Sequence, residues 1–307
     1  EMQRSLVGSE MCIRDSSIAR RMNLPEKISA KDVEVCVLTF NRCALLKQAL
    51  ESLAGQTAAG LLVSVYDNAS SDATAEVVKA AEKSFGGNLK YVRHAKNIGA
   101  DANFHAALDG ASRKYTMFMH DDDTAHPNYL EYAIEAINKF GNVALLASDY
   151  TCVKLPPNSA VKFNRPQKKA LVFNNQEEFA AYIFCDGKAS YSSAVYRTED
   201  LRKFNRPNIY GKIGDTPVMI DTSRGGKTVI LADKNLYFYR IHPNQDSRNA
   251  SNGPLRTEIV NRNLLFKGIL ANGTFWHSVA YLISYAEWLA RHIRFAGANE
   301  SLSLIHI

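Results

Sequence analysis

The run Tyr115-Thr116-Met117-Phe118-Met119-His120-Asp121-Asp122-Asp123 constrains this chain more than any other segment, because an apolar, strand-like stretch stops abruptly in three consecutive carboxylates. Like charges packed this closely repel one another unless a cation sits among them. A buried strand gains little stability by ending that way, so the pattern points to a divalent metal site at the lip of a sheet. A solvated acidic turn or a helix start is the alternative when the segment is taken alone.

Other segments end in the same polar fashion. Val33 to Thr39 is β-branched and apolar and runs into Phe40-Asn41-Arg42, after which Leu46, Ala49, Leu50 and Leu53 fall on one helical face. Leu61 to Tyr66 reads as a second strand and ends at Asp67-Asn68-Ala69-Ser70-Ser71-Asp72. Asp72 is the expected N-cap of a helix whose inner face carries Val78, Ala81 and Phe85. A third strand, Leu89 to Arg93, leads through Asn97-Ile98-Gly99 to a helix near Ala100 to Leu108, and the acidic-ended strand follows. The order β-α-β-α-β-α-β implies an α/β fold with a mainly parallel sheet and helices on both faces. Such sheets place their ligand sites beyond the carboxyl ends of the strands. Thr39, Asn41, Asp67 and Asp121 to Asp123 all lie at those ends.

The two extremities are set apart from this pattern. Ser5 to Ser16 and Ser301 to Ile307 resemble translated sequencing-adapter read-through, so residues 1–16 and 301–307 are expected to be non-native and the native chain truncated at both ends. The remainder suits one large α/β domain or two smaller ones, and a hydrophobic content of 46% supports a substantial core. Cys36, Cys43, Cys152 and Cys185 have no metal-binding spacing, and Cys36 and Cys43 are expected to be small core residues in a reducing, cytoplasmic compartment. The formal charge of +6 suits phosphate-bearing small molecules or an anionic membrane face. No RNP-type or helix-turn-helix pattern argues for nucleic acid. Phe275 to Phe295 is the most apolar stretch, but Glu287, Arg291 and Arg294 interrupt it. It reads as a packing helix, with an interfacial membrane helix as the second reading and peripheral contact with the inner membrane as its consequence.

Thr39-Phe40-Asn41-Arg42, Asp67 to Asp72, Asn97-Ile98-Gly99 and Asp121-Asp122-Asp123 followed by Pro127 resemble, in order and spacing, the nucleotide-sugar half of family 2 glycosyltransferases with the GT-A fold. The likeness covers residues 33 to about 150. His120 stands where the family often has the first Asp of D-x-D-D, so Asp122 and Asp123 match best. The resemblance implies a nucleoside diphosphate-sugar donor and Mg²⁺ or Mn²⁺ held by Asp122 and Asp123, with Asp121 assisting or bonding the ribose. It implies that Asp67 accepts a hydrogen bond from the base, and that Thr39, Asn41, Arg42 and Asn97 line the nucleotide pocket. Asp215, in Gly214-Asp215-Thr216-Pro217, matches the family's general base and implies inversion at the anomeric carbon. Tyr239-Arg240-Ile241-His242 matches a Y-R-x-H pattern, which makes His242 a further metal or diphosphate contact and Arg240 a phosphate or loop contact.

Beyond residue 150 the chain reads as a Pro-containing loop over Lys154 to Lys169, a helix over Gln176 to Phe184, a strand over Ser192 to Arg197 and another over Lys234 to Tyr239. Asn244 to Asn252 is polar and reads as a mobile flap. The expected organisation is a nucleotide-sugar half at 32–150, an acceptor half at 151–252 and C-terminal helices at 253–300. Tyr191, Tyr196 and Tyr210 are candidates for stacking on an acceptor sugar, with core packing expected for at least two. The function implied is a metal-dependent, inverting glycosyltransferase acting on a glycan or lipid-linked acceptor in surface polysaccharide synthesis. Two alternatives stand beside it: a sugar nucleotidyltransferase, against which the absence of a G-x-G loop after the first strand argues, and a non-catalytic binding protein of the same fold.

Overall fold

The computed structural model describes residues 27–154, 161–184, 187–205 and 214–242, together with Ala286. The two end segments, the Asn244 to Asn252 stretch, the helices expected at 253–300, Cys185 and Tyr210 lie outside the described residues.

The first half folds as its periodicity indicates. Strand β1 (Val33–Thr39) leads to helix α1 (Cys43–Ala54), β2 (Leu62–Asp67) to α2 (Thr74–Ala81), β3 (Leu89–Arg93) to α3 (Ala100–Gly110), and β4 (Tyr115–His120) follows. After it come β5 (Thr124–Ala125), α4 (Tyr129–Phe140), β6 (Val143–Ser148) and β7 (Thr151–Val153). The second half adds β8 (Ala170–Phe173), α5 (Gln176–Phe184), β9 (Val195–Arg197), α6 (Thr198–Phe204), α7 (Asp215–Thr222), β10 (Lys227–Leu231) and β11 (Tyr237–Arg240). The expected strand at 192–197 is shorter, because Tyr191–Ser193 forms a 3₁₀ turn. The strand expected at 234–239 begins only at Tyr237, because the Asp233 carboxylate accepts the Asn235 N–H at 2.9 Å and closes a turn there.

Eight strands form one sheet in the order β3-β2-β1-β4-β9-β6-β10-β8. Strands β1 to β4, β6 and β10 run in one direction, while β9 and the edge strand β8 oppose them. The sheet is therefore mainly parallel. Strands from the 151–252 stretch lie beside those of the 32–150 stretch, so both share one sheet. Strand β11 joins a smaller sheet, antiparallel to β5 and parallel to β7.

Side-chain alternation divides the core between the two faces of the large sheet. Val33, Val35 and Val37 of β1 and Met117 and Met119 of β4 pack with Leu46 and Leu50 of α1 and with Ala133 and Ile137 of α4. On the other face, Cys36 and Phe118 meet Phe104 of α3, Phe179 of α5 and Met219 and Ile220 of α7. Cys36 is thus a core residue as expected, whereas Cys43 is half-buried at the start of α1 and Cys152 is exposed; all three are free thiols. Among the described residues no helix is long and apolar enough to cross a membrane.

One buried charge in this scaffold lies away from the strand ends. Glu34 of β1 is fully buried and accepts hydrogen bonds from the Ser64 hydroxyl at 2.7 Å, the Ser112 N–H at 2.7 Å and the Ser112 hydroxyl at 3.0 Å. It ties β1 to β2 and to the loop that enters β4. Truncating it leaves the buried Ser64 hydroxyl without its acceptor and unties the Ser112 loop, so Glu34→Ala is expected to cost about 2–4 kcal/mol. A urea unfolding midpoint unchanged from the parent protein would contradict that assignment.

Candidate active site

The strand ends are shaped by two interlocked turns. After β1, Asn41 adopts a left-handed backbone (φ 53°) and its side-chain oxygen accepts the Ser71 N–H at 2.7 Å. Its own N–H donates to the Ser70 hydroxyl at 2.9 Å. After β2, Ala69 is also left-handed (φ 64°). Asn and Asp visit this region more readily than Ala, so Ala69 is strained unless its surroundings hold it. Asp67 supplies that hold, because its Oδ1 accepts the Ser70 N–H at 2.9 Å. Asp72 is not the N-cap residue of α2, a position that Ala73 occupies. It still satisfies helix starts, accepting the Thr74 N–H at 3.1 Å and the Cys43 N–H of α1 at 2.9 Å.

The nucleotide-side candidates divide by how they are engaged. Asp67 is buried, and its second oxygen accepts the Tyr91 hydroxyl at 2.6 Å with Arg93 Nε at 3.5 Å. The carboxylate is already committed to the fold. Asn97 is exposed; its side-chain oxygen accepts from Asn68 at 3.0 Å and from the Gly99 N–H at 2.8 Å, which fixes the loop into α3. Thr39 donates to Asp121 Oδ2 at 2.7 Å, and Arg42 Nη1 reaches Asp121 Oδ1 at 3.1 Å and Asp122 at 3.6 Å. Thr39, Arg42 and Asp121 are thereby brought together, with Asn41 at the adjacent turn.

The three carboxylates are buried, each with a different set of partners. Asp123 Oδ1 accepts the Arg240 main-chain N–H at 3.0 Å and Oδ2 the Tyr237 hydroxyl at 3.1 Å. The Arg240 side chain, itself buried, donates to the Asp122 main-chain oxygen at 3.1 Å and to Gln48 at 2.5 Å. Arg240 therefore holds the β4–β5 loop rather than presenting its guanidinium at an open surface. His242 Nε2 lies 3.0 Å from Asp122 Oδ2. Among the described residues, Asp122 Oδ1 is the one carboxylate oxygen buried with no hydrogen-bond partner. A buried, unpartnered anionic oxygen is costly in a finished fold and calls for a cation. These donors, hard oxygens with imidazole nearby, suit Mg²⁺ or Mn²⁺.

His120 enters this group although the sequence reading gave it no role. A ring nitrogen of His120 and one oxygen each from Asp122 and Asp123 lie within 4.8 Å of one another. The signal was present in β4, where strand alternation puts His120 on the face of Phe118, the face that α7 covers. Asp215 is the first residue of α7, and its charge acts on the His120 imidazole. Asp215 is exposed at the start of α7. The ring of Tyr191 is half-buried with its centroid 6.0 Å from that of His120, whereas Tyr196 is fully buried between β4 and β6 and serves packing.

The site's electrostatics follow from this crowding. Burial, then the Asp122 charge, pushes Asp121 up to about 6 against the opposing pull of Arg42 and Thr39. The same causes push Asp123 up to about 7, opposed by His120 and the Arg240 N–H. Burial alone would lower His120, but the surrounding carboxylates outweigh it and raise the imidazole above its ordinary value. Asp215 is raised by burial, with His120 opposing. Each raised group binds its proton more tightly in the folded chain than in the unfolded one. Metal-free stability should therefore fall as pH rises from about 4 through about 7. Denaturant midpoints in chelator at pH 5 and pH 8 should show this loss, and Asp123→Asn should reduce it. A stability that rises over that interval would contradict the charge arrangement.

A model of the family described as Glycosyl transferase family 2 matches residues 34–198. The abequosyltransferase RfbV of Salmonella typhimurium is 25% identical over 155 residues, which is 49% of this chain and 46% of that protein. The GalNAc(5)-diNAcBac-PP-undecaprenol beta-1,3-glucosyltransferase of Campylobacter jejuni is 31% identical over 115 residues, 36% of this chain and 37% of that protein. The matched stretches thus span about half of the first relative's length and less of the second's. Among solved structures, S. aureus TarS 1-349 in complex with UDP-GlcNAc aligns with a TM-score of 0.63 at 20% identity, covering 87% of this chain and 74% of that one. That likeness shows a shared GT-A fold.

Proposed function

The chain belongs to glycosyl transferase family 2, and from that membership we propose that it moves a sugar from a nucleoside diphosphate donor to a hydroxyl of a glycan or lipid-linked acceptor, with the aid of Mg²⁺ or Mn²⁺. The observation that carries this reading is the buried, unpartnered Asp122 Oδ1 at the carboxyl end of the parallel strands. Around it stand Arg42, Asp123 and His242.

In this reading Asp122 and Asp123 hold the ion, with His242 beside Asp122 as a further metal or diphosphate contact. The bound ion supplies positive charge against the negative charge that develops on the departing diphosphate. Thr39 and Arg42 fix Asp121 at the nucleotide side, where the ribose hydroxyls find an acceptor. The turns at Asn41, Asp67 and Asn97 frame the base. Because both Asp67 oxygens already accept protein donors, a base N–H that reaches Asp67 shares an oxygen with Tyr91 or Ser70. Arg240 orders the acidic loop through its main-chain and side-chain bonds.

In this reading Asp215 takes the proton from the acceptor hydroxyl as that oxygen attacks the anomeric carbon. Its raised pKa makes it a stronger base than an ordinary aspartate. A single attack from the side opposite the diphosphate inverts the anomeric centre. Tyr191, beside His120, is the aromatic candidate for contact with the acceptor sugar. The Campylobacter relative is named for a polyprenol diphosphate-linked substrate. That name supports a lipid-linked glycan acceptor, and with it we propose a role in surface polysaccharide synthesis at the cytoplasmic face of a membrane.

A thermal-shift screen of UDP, GDP, CDP and dTDP, each with and without Mn²⁺, tests the donor site. One nucleotide should stabilise the protein only when metal is present, by about 2.7 kcal/mol at one hundred times its dissociation constant. Absence of any shift from a folded sample would remove the nucleotide-diphosphate reading. Asp215→Asn tests the base: donor binding should persist while transfer falls at least about a hundredfold. Unchanged transfer would take Asp215 out of the mechanism.

A further inference from the structure

His120 differs from its neighbours in offering nitrogen. It is half-buried at the end of β4, and its ring nitrogen shares a space within 4.8 Å with oxygens of Asp122 and Asp123. Three ligand atoms about 2.1 Å from one ion lie about 3.0 to 3.6 Å apart, or about 4.2 Å for a directly opposed pair, so these three atoms are near enough to share an ion after they draw together. The unpartnered Asp122 Oδ1, buried in the same cluster, supplies an independent sign that a ligand belongs there.

The scaffold also holds His120 and Asp123 through one pair of buried hydroxyls. Ser192 Oγ accepts the His120 main-chain N–H at 2.9 Å and lies 2.6 Å from the Tyr237 hydroxyl, which donates to Asp123 Oδ2 at 3.1 Å. Neither ring nitrogen of His120 is needed for this support. The imidazole stands among carboxylates with its backbone fixed by one strand of the large sheet and its neighbour's carboxylate fixed by the small sheet.

Resting on the reading of this site as a metal site, we propose that a His120 ring nitrogen is a direct ligand beside Asp122 and Asp123. The resulting mixed nitrogen and oxygen site favours Mn²⁺ and later first-row ions over Mg²⁺. Mg²⁺ binds almost entirely through oxygen and gives up water reluctantly, whereas imidazole suits the transition metals, whose affinities rise along the first row. Replacing a carboxylate by imidazole also removes one negative charge from the cluster, which weakens a hard cation more than a borderline one. His242 is the competing nitrogen, because its Nε2 is 3.0 Å from Asp122 Oδ2.

The experiment is pulsed electron paramagnetic resonance on the full chain with Mn²⁺ and UDP. Directly bound ¹⁴N should modulate the signal, change on ¹⁵N-histidine labelling, persist in His242→Asn and vanish in His120→Asp, while Mn²⁺ still binds. Competition calorimetry should show the preference for Mn²⁺ over Mg²⁺ falling at least about tenfold in His120→Asp. Bound Mn²⁺ without ¹⁴N modulation would overturn His120 as a ligand and leave the metal site standing. Modulation lost in His242→Asn but kept in His120→Asp would overturn it as well. No Mn²⁺ binding with or without UDP would remove the metal reading and this inference together. If His120→Asp loses its circular-dichroism spectrum, His120→Gln and the labelled wild-type protein decide the question by the same signals.

Discussion

The burial of three adjacent carboxylates at the end of a parallel strand is the constraint around which the rest of this structure is arranged. Each must be compensated, and the partners come from two distant parts of the chain. Asp121 is met by Thr39 and Arg42 from the first strand and the turn after it. Asp123 is met by Tyr237 and the Arg240 N–H from more than a hundred residues further on. Asp122 receives His242 and a distant Arg42 on one oxygen and nothing on the other. The fold thus satisfies two carboxylates and half of the third, and the cation proposed above would supply the charge that Asp122 Oδ1 lacks.

The topology serves the same end. Three consecutive parallel pairings, among β1 to β4, bring the polar turns to one edge. Strand β9 then runs antiparallel between β4 and β6, and the 3₁₀ turn before it carries Ser192 against the His120 backbone. The small sheet folds β11 back over the acidic loop, so that Arg240 and Tyr237 close it from above. Helix α7 covers the face that His120 shares with Phe118, and its first residue is Asp215. Asp215, Tyr237 and Arg240 from the second half of the sequence thus join the strand ends of the first.

The first of those halves was legible because its signals are local. Val33 to Thr39 or Leu46 to Leu53 announce strand and helix within a few residues, and the polar ends follow directly. The second half was less so. Strands β5 and β7 have two and three residues, too short for an alternation to emerge, and they exist because β11 pairs with both. The roles of Asp67 and Arg240 shifted for a related reason. Composition shows that they are charged and near the site, but only tertiary contacts show that Tyr91, Ser70, Gln48 and the Asp122 carbonyl already engage them. His120 was readable by parity along β4 and was passed over because the family pattern places a carboxylate there.

The proposed divalent cation lies against Asp122 Oδ1. Diffraction from crystals grown with Mn²⁺ and UDP, recorded near the manganese absorption edge, locates such an ion without reference to activity. An anomalous peak within bonding distance of Asp122 Oδ1, about 2.2 Å, with diphosphate oxygens beside it, is the expected result. A peak elsewhere, or UDP bound between the strand ends with no ion at Asp122, would contradict it.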